Sequence, residues 1–253
     1  MGTRLFHISD VHFGAEDKTA LAAVERAVRE ERPDILVCTG DLTQRATHAQ
    51  YKAAADWFGQ FDVPVWIDPG NHDMPYYNLW ERFSQPYKRY NSLHKGVATP
   101  VFETEELVLI PLKTTVRSQN RWPWADGGVT PQALRTTLAR IGPYRDDPRL
   151  RVVTAHHPLH PPKPGRKNLT IGGDEALAQL IEAGMDAILT GHIHKPFNDH
   201  HTAGERSVQV IGAGTLSTRL RDGVPASFNA LSYRRGDNEI VVDTRTVGAS
   251  LRS

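Results

Sequence analysis

A single cysteine in 253 residues leaves Cys38 without a partner for an internal disulfide. Nothing in the chain therefore calls for an oxidising compartment. Cys38 closes the apolar run Ile35-Leu36-Val37-Cys38 and reads as a buried strand residue, not a reactive thiol. Long hydrophobic runs are missing too, and no stretch approaches the roughly 20 residues of a membrane span. The N-terminus enters Arg4-Leu5-Phe6-His7-Ile8 directly, without the basic, apolar and small-residue segments of an export signal. A cytoplasmic location is the expectation. Nor does one sign of charge prevail. Lys and Arg number 30 against 29 Asp and Glu, a formal net charge of +1, which gives no field to gather nucleic acid or an anionic membrane. Arg219-Leu220-Arg221 and Arg234-Arg235 are candidate phosphate contacts, with solvated loop charge the preferred reading of each. No linker or low-complexity tract divides the chain, so one domain over residues 1–253 is expected.

What is present is an alternation of short apolar runs with helical patterns. Leu5–Ile8, Ile35–Cys38 and Val63–Ile67 read as strands. Between them, Lys18–Glu31 carries Leu21, Val24, Ala27 and Val28 at helical spacing, and Thr47–Phe61 is a second helical stretch. The second half continues with strands at Leu107–Leu112, Arg151–Ala155 and Ala187–Thr190, and helices at Thr130–Ile141 and Asp174–Ala183. Strand candidates at Ser207–Ile211, Ser227–Tyr233 and Glu239–Thr244 close the chain, the last two joined by a turn at Arg234-Arg235-Gly236-Asp237-Asn238. This order indicates an α/β fold with a mostly parallel sheet. A second sheet packed on the first would account for the strand-rich tail.

Crossover helices bring the carboxyl ends of parallel strands to one edge, where ligands bind in open α/β sheets. The residues just past those ends are Asp10 and His12, Gly40-Asp41, Gly70-Asn71-His72-Asp73, His156-His157, and Gly191-His192-Ile193-His194. Oxygen and nitrogen donors without thiolate suit two divalent or trivalent ions such as Mn, Fe or Zn, rather than Ca or a structural zinc cage. If Asp10-x-His12 stays extended, its two side chains point the same way and can meet one ion. One carboxylate bridging both ions, with Asp41 the natural candidate, holds them roughly 3.5–4 Å apart, the spacing of two-metal hydrolases. Asn71 offers a neutral oxygen and His156 a further nitrogen. Such a pair points to hydrolysis of a phosphate ester.

In their order these elements resemble the calcineurin-like metallophosphoesterase superfamily: Asp-x-His, Gly-Asp, Gly-Asn-His-Asp, His and Gly-His-x-His, from Asp10 to His194. The resemblance implies a four-layer α/β-β/α sandwich, two mixed sheets flanked by helices. It implies one ion on Asp10, His12, Asp41 and His194, and a second on Asp41, Asn71, His156 and His192. It implies attack on phosphorus by a metal-bridging hydroxide, with His72 over the phosphate to stabilise or protonate the leaving oxygen, as an imidazole can near neutral pH. His157 and Asp73 are expected to be structural neighbours, Asp73 as a hydrogen-bonding residue at the loop's end.

Departures narrow the branch. Gln44 stands where phosphoprotein phosphatases carry the second Asp of Gly-Asp-x-x-Asp-Arg-Gly, and His72 stands where the lipid A diacylglucosamine-nucleotide hydrolases usually carry arginine. The sequence is most similar to class III cyclic nucleotide phosphodiesterases, which implies a small phosphodiester as partner. The alternatives are a nuclease of the double-strand-break repair type, a phosphomonoesterase, and a non-catalytic scaffold. The nuclease shares the Ile8-Ser9-Asp10-Val11-His12 start, but the near-neutral charge does not favour nucleic acid. The scaffold is disfavoured because every ligand position is intact. Two basic and aromatic loops, Lys113–Gly128 and Pro158–Gly173, are expected to shape substrate access. Arg117, Asn120, Arg121, Trp122 and His160 are the candidate contacts. Trp122 and Trp124 suit a pocket wall or the contact of a homo-oligomer equally.

Overall fold

Strands without a polar face need apolar cover on both sides, and these receive it from a second sheet on one side and helices on the other. A computed structural model describes residues 2–117, 126–161 and 170–248. The first part of the chain forms β1 (Thr3–Ile8), α1 (Lys18–Glu31), β2 (Ile35–Cys38), α2 (His48–Phe58), β3 (Val65–Ile67), α3 (Leu79–Ser84) and α4 (Lys88–Val97). There follow β4 (Leu107–Pro111), α5 (Pro131–Ile141), β5 (Leu150–Thr154), α6 (Gly173–Glu182) and β6 (Ala187–Thr190). The tail forms β7 (Phe197–Ala203), β8 (Arg206–Gly212), β9 (Ser227–Tyr233) and β10 (Val241–Thr246).

One sheet runs β10-β9-β1-β2-β3 and the other β4-β5-β6-β8-β7. Both are mixed: β1, β2 and β3 run parallel, β9 runs antiparallel to both β1 and β10, and β7 is the antiparallel edge of the second. Alternate strand residues enter different cores. Leu5, Ile35, Val37 and Trp66 meet Leu109, Val152, Leu189 and Ile211 between the sheets. Phe6, Ile8, Leu36 and Ile67 face outward onto Val24, Val28, Tyr51 and Phe58 of α1 and α2. On the far side Ile110, Val153 and Ile188 face Leu134, Leu177 and Leu180 of α5 and α6. The result is the four-layer α/β-β/α sandwich.

The tail is distributed differently from expectation. Instead of building the second sheet, it splits: β8 pairs in parallel with β6, whereas β9 crosses back to pair with β1. The inward Leu231 of β9 joins the core between the sheets and its outward Phe228 the helical core, so pairing with β1 covers both faces. Helix starts follow local chemistry. Thr47 and Gln50 form a capping box on α2, and Thr130 caps α5 with Pro131 in its first turn. Among the described residues no helix is long and apolar enough to cross a membrane.

Candidate metal centre

The loops after β1 and β2 continue side by side beyond the strands. Asp10 N–H donates to the Gly40 carbonyl at 3.0 Å and His12 N–H to the Asp41 carbonyl at 3.0 Å. The segment does not stay extended, so the condition for the two side chains to point the same way by alternation is not met. Asp10 (φ 54°), His12 (50°), Asp41 (55°), His192 (68°) and His194 (61°) all take left-handed backbone. That conformation costs roughly 1–2 kcal/mol per residue with a side chain. Residues two apart converge here because the backbone coils, not because it alternates. Close packing of the loops explains the motif glycines. A Cβ on Gly70 would come within 2.1 Å of Asp41 Oδ1 and of its backbone nitrogen, and one on Gly191 within 1.8 Å of Ser9 Oγ.

The side chains so placed are buried and face one another. Asp10, His12, Asp41, His156, His192 and His194 are all buried, while Asn71 and His72 are half-buried. His194 Nε2 lies 3.0 Å from Asp10 Oδ1 and 3.2 Å from His12 Nε2. His156 Nε2 lies 3.1 Å from Asn71 Oδ1 and 3.4 Å from Asp41 Oδ2. The same Asp41 oxygen is 3.7 Å from His12 Nε2, so it faces both groups. Donor atoms of Asp10, His12 and His194, of Asp10, Asp41 and His156, and of His156, His157 and His192 lie close enough to share an ion.

Several rings are oriented from behind. His156 Nδ1 donates to the Thr39 carbonyl at 2.7 Å, His194 Nδ1 to the Arg219 carbonyl at 2.7 Å, and His72 Nδ1 to the Gln44 carbonyl at 2.9 Å. A proton fixed on Nδ1 turns the Nε2 lone pair toward the cluster, the arrangement that orients metal-binding imidazoles. Facing carboxylates, such an Nε2 needs either a proton or a cation, and buried Asp10 Oδ1 has no hydrogen bond of acceptable geometry. Cations between these groups would take the place of such protons and satisfy the orphaned oxygen, so the residues fit a metal centre.

The electrostatics agree. Burial opposes ionisation of Asp10 and Asp41, yet the neighbouring imidazoles hold both carboxyls well below their usual range, His194 foremost at Asp10 and His156 at Asp41. Burial also opposes charge on His156, but Asp41 and then Asp10 lift it to about 9. Metal binding displaces such a proton. Burial, reinforced by His156, pushes His192 down to about 3. Burial lowers His72 as well, against the pull of Asp41.

The neighbours have clear tasks. Asp73 Oδ2 accepts from the Leu42 and Gly70 N–H groups at 3.1 and 2.9 Å, and its Oδ1 from the Thr43 N–H at 2.9 Å. It thereby ties the second and third motif loops together. His157 makes a 2.9 Å hydrogen bond with the Thr114 hydroxyl through Nδ1, and its ring lies 4.5 Å from that of His192. Its donor atom is also within ligand range of His156 and His192. Of the expected substrate contacts, His160 is exposed and pairs with Asp174 at 2.6 Å, and Arg117 donates to the Phe83 carbonyl at 3.1 Å. Neither is among the residues grouped around the cluster. Asn120, Arg121, Trp122 and Trp124 lie outside the described residues.

Arg219, whose preferred sequence reading was solvated charge with a phosphate contact as the alternative, stands beside the cluster. Its Nη1 lies 3.2 Å from His72 Nε2, 3.4 Å from His12 Nε2 and 3.3 Å from Gln44 Oε1. One signal was available: the loop carrying it follows β8, a strand parallel to β6, and so starts at the same edge as the motif loops. Thr215 of that loop anchors it by donating to the Asp10 carbonyl at 2.7 Å.

Sequence comparison agrees with this geometry. The profile described as calcineurin-like phosphoesterase matches residues 3–196, and the chain belongs to that family. It is a hydrolase of phosphoric esters. A relative from Arcobacter nitrofigilis, named a probable glycerophosphodiester phosphodiesterase, is 24% identical over 74% of this chain and 70% of its own length. A Pseudoalteromonas relative named a probable cyclic nucleotide phosphodiesterase is 27% identical over 77% of this chain and 72% of its own. The D subunit of the SbcCD nuclease of Staphylococcus epidermidis is 21% identical over 77% of this chain and 58% of its own. Among solved structures, a dimetal phosphatase from Danio rerio superposes with a TM-score of 0.62 at 14% identity, covering 97% of this chain and 99% of its own. At that identity the likeness speaks for the fold.

Proposed function

We propose that the protein is a dimetal phosphodiesterase acting on small phosphodiesters, cyclic nucleotides included. The observation that carries this reading is the position of Asp41, one of whose carboxylate oxygens faces His12 and His156 together. Asp10, His12, Asp41 and His194 would hold one ion, and Asp41, Asn71, His156 and His192 the other, with Mn, Fe or Zn suited to the donors. When bound, the ions would lower the pKa of a water to supply the nucleophile and neutralise charge on the phosphoryl oxygens.

This chain's own residues do the rest. The Gln44 carbonyl holds His72 by Nδ1, so a proton passed to the leaving oxygen travels on Nε2, which faces the site. Asp73 and the motif glycines keep the loops at the separation that the ligands need. Diester chemistry is favoured because the relatives named above are described as phosphodiesterases or as part of a nuclease, activities that all cleave a phosphodiester. The unpaired, buried Cys38 supports a cytoplasmic setting.

The test is turnover by Mn-loaded protein of cyclic nucleotides, linear diesters, glycerophosphodiesters and monoesters. Diesters should exceed monoesters in kcat/KM by roughly tenfold or more, a difference in transition-state binding of about 1.4 kcal/mol. Faster cleavage of monoesters would overturn the diester assignment, and inactivity with added metal would overturn the dimetal reading.

A further inference from the structure

Among the described residues, most half-buried arginines are paired with carboxylates. Arg89 binds Glu81, Arg149 binds Asp147 and Glu103, Arg151 binds Asp186, and Arg245 binds Glu31 and Asp243. Arg219 is half-buried as well, yet among the described residues no carboxylate lies within ion-pair distance of it. Its recorded side-chain contacts are two imidazole nitrogens and one amide oxygen, all met by Nη1. Nε and Nη2 therefore keep their donors for another partner. An arginine fork is shaped for the paired oxygens of carboxylate or phosphate.

Place adds to chemistry. The guanidinium stands at the His72 and His12 side of the centre, where Nε2 of His72 faces. Gln44 Oε1 holds Nη1 from the side. The carboxylates nearest to it, those of Asp10 and Asp41, are turned to the imidazoles of the cluster and would be neutralised by cations. Among the described residues no other carboxylate then pairs with Arg219. An anion arriving at the centre would.

We infer that Arg219 is a substrate-binding residue whose guanidinium grips a non-bridging oxygen of the phosphoryl group beside His72. The inference deepens the proposed phosphodiesterase reading and rests on the same site. Arg219 also has a backbone task, since its carbonyl accepts from His194 Nδ1. Substituting the side chain leaves that carbonyl in place, so the two roles can be separated.

The experiment uses Mn-loaded full-length protein with three readouts: ions per chain, calorimetric affinity for inorganic phosphate, and kcat/KM on a nitrophenyl diester. Arg219→Ala should retain the wild-type ion content, bind phosphate at least about tenfold more weakly, and lose about a hundredfold in kcat/KM. Arg219→Lys, which keeps the charge but not the fork, should fall between the two. Unchanged phosphate affinity in Arg219→Ala, or wild-type protein that binds no phosphate, would overturn the assignment. Loss of ions from both variants would also overturn it, by showing that the residue acts through His194. Wild-type protein that binds phosphate through Arg219 but cleaves no diester would sink the phosphodiesterase reading and leave Arg219 as an anion-binding residue.

Discussion

Asp68 lies fully buried just after β3, and burial raises its carboxyl to about 6 against the help of Thr154 and Trp66. In the unfolded chain the same group titrates near 3.8. The folded state therefore holds this proton more tightly, and the contribution to stability is full below about 4 and lost as pH rises through 6. A shift of that size corresponds to at most about 3 kcal/mol. Asp68→Asn removes the ionisation, so its melting temperature should exceed that of wild type at pH 8 and match it near pH 4. Equal differences at both pH values would contradict this account. The contrast with Asp10 and Asp41 is instructive, since equal burial ends in the opposite direction where imidazoles crowd the carboxyl. The residues that cluster at the centre were legible in the sequence because metal chemistry admits few residue types at the start of a loop. The left-handed backbone of those residues was not, because the packing of neighbouring loops imposes it. Arg219 was legible only as one of two readings, phosphate contact or solvated charge, because an arginine after a strand is ordinary until its surroundings are seen.

Elements tell a similar story with packing in the place of charge. Helices α1 and α5 and strands β2, β6 and β9 lie where periodicity puts them, because each buries a continuous apolar face. Strand β7, Phe197–Ala203, has no such face and alternates half-buried with exposed polar residues as the edge of its sheet. Helix α4 buries only Tyr90 and Leu93, and α3 only Arg82, too few for a pattern to stand out. Two glycines separate element stability from site geometry. A Cβ on Gly96, inside α4, meets nothing within 4 Å, so Gly96→Ala should stabilise the protein by about 0.5–1 kcal/mol in denaturant unfolding. Gly70→Ala drives its Cβ into Asp41 and should strip metal from the centre. A Gly70→Ala protein with full metal content would show that these loops are not held at the separation described.

At the level of the molecule, the two sheets present the carboxyl ends of β1, β2, β3, β5 and β6 to a common centre. That convergence was readable because a parallel sheet dictates it. The division of the tail between the sheets was not, since β8 and β9 have similar apolar patterns and differ only in the edge left open to each. The central claim is that loops from both sheets build one dimetal centre with Asp41 shared between the ions. Metal analysis of Mn-loaded wild type, His72→Ala and Asp41→Ala, read beside diester turnover, tests it most directly. Wild type should hold both ions. His72→Ala should hold both and lose roughly a hundredfold or more in turnover, and Asp41→Ala should lose both ions together with activity. Asp41→Ala protein that keeps both ions would contradict the shared carboxylate and the mechanism built on it.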